Sequence, residues 1–172
     1  MWHQQRRIQR LMRGLDVDMP VPLTVQGLVS TLETARRRPI QLVAMTISEQ
    51  AGPCGLWVAT AATDYVLYRR DSSPVLQVQT MLHELMHMAL GHTGKPVIRG
   101  AEQLTQSFDA AGAETVLART SATYDQQQEM DAELLATYLG ARLAEVDQVG
   151  AFDSLGDDTA AVMHRIAVTM TE

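Results

Sequence analysis

The sequence predicts an α+β fold: a small three-stranded sheet packed on one central helix, with a mainly helical remainder. Three observations lead there. Apolar residues recur at helical spacing at the front of the chain, change to β-branched and aromatic runs from Ile40 to Tyr68, and return to helical spacing from Pro74 onward. The strands fall in one block instead of alternating with helices, which is the pattern of an α+β domain. At 172 residues, with no Gly/Ser-rich or Pro-rich linker, the chain fits a single domain over 1–172 whose core spans roughly 20–146.

Taken in order, residues 3–14 read as a helix with Ile8, Leu11 and Met12 on one face and Gly14 as its stop. Met19-Pro20-Val21-Pro22 is a stiff connector. Thr24 caps a second helix through Arg37, in which Val25, Leu28, Val29, Leu32 and Ala35 repeat at three and four. Pro39 ends it, and Arg36-Arg37-Arg38 suit a solvated helix C-terminus. Ile40 to Ile47 is the first strand, Ala51 to Gly55 a turn, and Leu56–Thr60 and Tyr65–Tyr68 are the next two strands. Ser73 caps, and Pro74 opens, a helix reaching about Leu90 that Gly91 ends. A short helix is expected around Ala113–Arg119, a strong one from about Asp125 to Val146, and a last amphipathic one over Asp158–Val168.

Composition narrows the function. No segment approaches the ~18 consecutive apolar residues of a membrane span. The basic start Met1–Arg7 has no apolar stretch behind it, so a secretory leader is not expected. The single cysteine, Cys54, forbids an internal disulfide and agrees with a reducing, cytoplasmic setting. A net charge of -6 argues against direct nucleic-acid binding. Arg6, Arg7, Arg10 and Arg13 read as a solvated helix face.

The helix from Pro74 carries His83-Glu84-Leu85-Met86-His87. Histidines four apart on a helix share a face, so both imidazoles can reach one ion at ~2.0–2.1 Å. Glu84 is rotated about 100° from His83 and stands beside such an ion, where it can hold a water and take its proton. A catalytic zinc site needs a third protein ligand. Glu129, Asp131 and Glu133 lie close together on an otherwise apolar helix. Glu129 and Glu133 share a face at i, i+4, and Asp131 points away from both. That face can present Glu129 as ligand and Glu133 as a carboxylate that orients a histidine, with Asp131 the alternative ligand. The competing reading, three solvated acids, follows from the attraction of helix first turns for negative charge. His92 reads as a helix-end histidine meeting terminal carbonyls, not as a ligand. Cys54 as an inhibitory thiolate, and Tyr124 or Tyr138 as an oxyanion partner, are weaker candidates. The methionines around the motif fill core gaps.

Thr80–His92 and Glu129–Ala136 resemble the two motifs of the ImmA/IrrE-type metallopeptidases, zincins with a downstream Glu ligand. The second motif of that family is similar to Glu-x-Glu-Ala-x-x-x-Ala, with Asp131 standing here where a Glu is usual. The resemblance covers roughly residues 20–145. It implies a zincin-like fold, a Zn2+ ion held by His83, His87 and Glu129, and Glu84 as catalytic base in peptide-bond hydrolysis. It also implies a protein substrate, a helix-turn-helix transcriptional repressor. The chain itself shows no helix-turn-helix, so DNA contact would fall to that partner. Gly52–Trp57 resembles a subgroup associated with toxin and regulator systems, which leaves a second expectation: a non-catalytic zinc-containing module that sequesters a partner. For an extended peptide, strand 56–60 or 65–69 is the expected aligning edge. Residues 93–121, with Lys95, Arg99, Phe108 and Asp109, are the expected recognition segment.

Overall fold

Among the described residues, four helices and four strands follow one another as α1 (Trp2–Gly14), α2 (Val25–Arg36), β1 (Ile40–Met45), β2 (Gly55–Ala59), β3 (Asp64–Arg69), α3 (Pro74–Ala89), β4 (Leu117–Arg119) and α4 (Gln126–Val146). The computed structural model describes residues 2–15, 17–45, 55–60, 62–92, 117–119 and 125–146. The turn at 51–54, most of the segment 93–121, the helix expected over 158–168, Cys54 and Tyr124 lie outside the described residues. No helix among them is long and apolar enough to cross a membrane.

The sheet order is β1-β3-β2-β4. β1 runs parallel to β3, with Ile40 opposite Asp64, while β2 runs antiparallel to both β3 and β4. Two expectations change here. Residues 117–119, expected to be helical, are a strand paired to Trp57–Ala59. Three residues are too few for a period to show, and long-range pairing decides their conformation. As a result β2 and β3, named as possible edges, are both interior, and the outer strands are β1 and β4.

Alternation along β2 splits the core. Trp57 and Ala59 join the main cluster with Leu28, Leu32, Leu82, Leu85, Met86 and Leu135, while Leu56 and Val58 join Leu67 on the opposite face. α3 is buried all round from Glu84 to Ala89, as a central helix must be. It packs against α2, α4, β2 and β3. Gly55 allows the closest of these approaches: a Cβ there would lie 2.4 Å from Thr80 Cγ2 and 2.9 Å from Glu84 Oε1.

Local chemistry sets the helix ends. Thr24 accepts from the amide of Gly27 at 2.9 Å and Ser73 from that of Leu76 at 3.3 Å. Asp125 and Gln128 cap α4 reciprocally: Asp125 Oδ1 accepts from the Gln128 amide at 2.8 Å, and Gln128 Oε1 from the Asp125 amide at 3.3 Å. The end of α2 departs from expectation, because Arg36 and Arg38 are not a solvated terminus. Arg37 takes the left-handed conformation (φ 53°), and its two neighbours converge on Asp64, which is fully buried. Arg36 donates to Asp64 Oδ2 from Nε at 3.0 Å and Nη2 at 2.8 Å, and Arg38 Nε lies 3.7 Å from the same oxygen. Trp57 Nε1 donates to Oδ1 at 3.1 Å. The buried carboxylate draws the arginines in because an acid without partners at that depth would be very costly.

Candidate metal centre

α3 and α4 meet turn by turn in opposite directions. Gln79 Nε2 donates to Thr137 Oγ1 at 3.2 Å, His83 Nδ1 lies 3.3 Å from Glu133 Oε2, and His87 Nε2 lies 3.4 Å from Glu129 Oε1. Residues 79, 83 and 87 thus face 137, 133 and 129, each pair one helical turn from the next. The reciprocal cap at Asp125 starts α4 one turn before Glu129 and so fixes where that ladder ends.

The last rungs bring three donor atoms together. His83, His87 and Glu129 each offer one atom within 4.8 Å of the others and form a group that could hold a metal ion. His83 Nε2 and His87 Nε2 are 3.0 Å apart, and Glu129 lies 3.5 Å from the first and 3.4 Å from the second; tetrahedral zinc with ligands at ~2.0–2.1 Å separates its ligand atoms by about 3.3 Å. Without a cation, lone pairs would confront each other across this gap unless protons intervened. Buried Glu129 Oε1 and Glu84 Oε2 have no hydrogen-bond partner among the described residues. The donor set fits the ion in number, kind and spacing.

Charge around the group is uneven. Burial drives His87 down to about 3, helped by the neighbouring His83 and His92, so its ring is neutral and its lone pair ready. Burial also pulls on His83, but the Glu133 hydrogen bond and the charges of Glu84, Glu129 and Glu133 outweigh it and raise that ring above its ordinary value. Burial pushes Glu84 up to about 7 against the pull of His83, with Glu129 adding to the rise and a hydrogen bond from the Trp57 backbone opposing it. Glu129 is raised, mainly by burial. Glu133, half in solvent, is lowered by its hydrogen bond to His83.

The other sequence candidates fall elsewhere. Asp131 turns away to α1, where Arg7 Nε donates to its Oδ1 at 2.8 Å, while Gln127, one turn earlier on α4, donates from Nε2 to its Oδ2 at 3.2 Å. Tyr138 OH accepts from Arg142 Nη1 at 2.7 Å. The His92 amide meets the His87 carbonyl at the helix end, and its ring lies against the ring of His87. Sequence reasoning missed Gly55, Gln79 and Thr137, whose partners are remote in the chain. It also missed α1 as a wall of the site: a cavity of about 710 Å³ beside His83 and Glu129 is bounded by His3, Gln4 and Arg7 on one side and Met130, Leu134 and Thr137 on the other. No protein-family model matches the chain, and comparison with curated proteins and with solved structures finds no match. Function must therefore be argued from the site.

Proposed function

We propose that this chain is a zinc-dependent endopeptidase that hydrolyses a peptide bond in a protein partner. One observation carries the reading: His83, His87 and Glu129 converge at zinc-ligand spacing, with Glu84 buried beside them on the same helix. When bound, zinc supplies a Lewis acid that polarises the scissile carbonyl and acidifies an attacking water. Glu84 takes the proton from that water and delivers it to the leaving nitrogen. Glu133 holds the Nδ1 side of His83.

Two helices meeting at a metal group beside a small mixed sheet support a zincin-like arrangement. Among the described residues β4 is an outer strand, to which an extended substrate could add in this reading, and the cavity beside His83 has room for one of its side chains. The likeness of the two motifs to ImmA/IrrE-type peptidases supports a helix-turn-helix repressor as substrate and a cytoplasmic setting.

The test is zinc analysis of the purified chain followed by incubation with helix-turn-helix repressors. Wild type should cleave, stop with chelator and resume with added zinc. Glu84→Gln should retain zinc and lose activity by about 10²–10⁴-fold. A chain that binds zinc and the repressor but cuts nothing, and whose cellular effect survives Glu84→Gln, would instead be a module that sequesters its partner.

A further inference from the structure

The chain leaving α3 folds back on the metal centre. Leu90 caps the helix, Gly91 takes a φ of 63°, and the His92 amide donates to the His87 carbonyl at 3.0 Å. The reversal sets the His92 ring edge-on to that of His87, with centroids 5.0 Å apart and planes at 67°. Their two Nδ1 atoms are 3.0 Å apart.

That contact has one productive proton arrangement. A neutral imidazole carries one N–H and one lone pair. His87 Nε2 faces His83 Nε2 and Glu129, and for a metal to be held there its lone pair must point at the ion, which leaves the ring proton on Nδ1. Among the described residues, His92 Nδ1 is placed to accept that proton. His83 follows the same plan with a different partner, its Nδ1 facing the Glu133 carboxylate. His92 is not itself among the converging ligand atoms.

We propose that His92 is a positioning residue: by accepting the Nδ1 proton of His87 it fixes the tautomer and ring orientation that present Nε2 to the metal. The inference rests on the metal reading above. It gives the two histidine ligands unlike supports, a carboxylate behind His83 and an uncharged ring behind His87, and the ligand backed by charge is the stronger donor. Gly91 belongs to the device, since a side chain there would strain the turn that delivers His92.

Two measurements on the full chain test this: ring-nitrogen NMR of the metal-free protein, and zinc titration against a chromophoric chelator. In wild type, His87 should carry its proton on Nδ1 before any metal is added. His92→Ala should weaken zinc binding by about 10–100-fold and leave His87 a mixture of tautomers. His92→Asn, whose Oδ1 can stand where Nδ1 stood, should recover most of the affinity. A wild-type His87 protonated on Nε2, or a His92→Ala chain that holds zinc as tightly as wild type, would overturn the proposal. Should His92→Ala fail to fold, His92→Asn and the wild-type tautomer decide. A wild type that takes up no zinc would instead overturn the metal reading, and the tautomer measurement would still decide the role of His92.

Discussion

Asp64 shows how much can hang on one side chain. It accepts hydrogen bonds from Arg36 and Trp57 and forms a longer ion pair with Arg38, and so ties the end of α2 to two strands. Asp64→Ala should cost about 3 kcal/mol, the low end for a broken buried pair because both guanidiniums still touch water. Urea unfolding measures the loss, and zinc content per folded molecule should not change. Gly55 is the opposite case, a residue whose use is to be absent. The methyl of Gly55→Ala would collide with Thr80 and Glu84, costing about 1–3 kcal/mol by overpacking. Because Glu84 is one of the displaced groups, the proposed hydrolysis should fall by more than the lost stability explains when both are measured on one preparation. Neither role was legible in advance. Gly55 reads as part of a turn because nothing local links it to Glu84, and Arg36 and Arg38 read as a solvated helix end because Asp64 belongs to another element.

At the scale of elements, what could be read from the sequence was what lies within one helix. The spacing of His83, Glu84 and His87 is local geometry, as is the separation of Glu129 and Glu133 from Asp131, and α3 and α4 run nearly where periodicity and caps put them. Which face of α4 turns towards α3 depends on packing, and the ion pair from Arg7 shows where the other face goes. The pair makes a prediction that separates the acids. Glu129→Ala should remove zinc from the chain. Asp131→Ala should leave zinc in place and loosen α1 by about 1 kcal/mol, the scale of a partly exposed pair. Equilibrium dialysis and thermal melts on both variants check it, and the reverse outcome would hand the ligand role to Asp131. β4 was illegible for a different reason: its three residues acquire a conformation only from β2.

Across the whole molecule, metal and protons should both show in stability. In the proposed zinc centre, metal at a thousand times its dissociation constant adds about 4 kcal/mol to a fold that alone can bind it, so chelation should lower the melting temperature by on the order of 10 °C. In the metal-free protein two buried groups pull oppositely with pH. His87, held at about 3 against a usual 6.5, contributes stability that is full above 6.5 and lost as pH falls towards 3. Glu84, held at about 7 against a usual 4.5, contributes stability that is full below 4.5 and lost as pH rises to 7. The contributions of these two offset each other between 4.5 and 6.5, and melts should fall below about 4.5, where Glu84 no longer changes while His87, joined by Glu133 with its lowered pKa, still loses stability as pH drops. The meeting of α3 and α4 also has a consequence for how the protein is made. A ribosome delivers His83, Glu84 and His87 well before Glu129, and at about 5–20 residues per second the interval lasts some seconds. During that time the nascent chain would have two of the proposed ligands and the proposed base but no closed centre, and could not cut itself, its neighbours or the ribosome's other products. A chain stopped after residue 92 should therefore carry the whole first motif and be inert, so that in the proposed peptidase activity waits on the synthesis of α4.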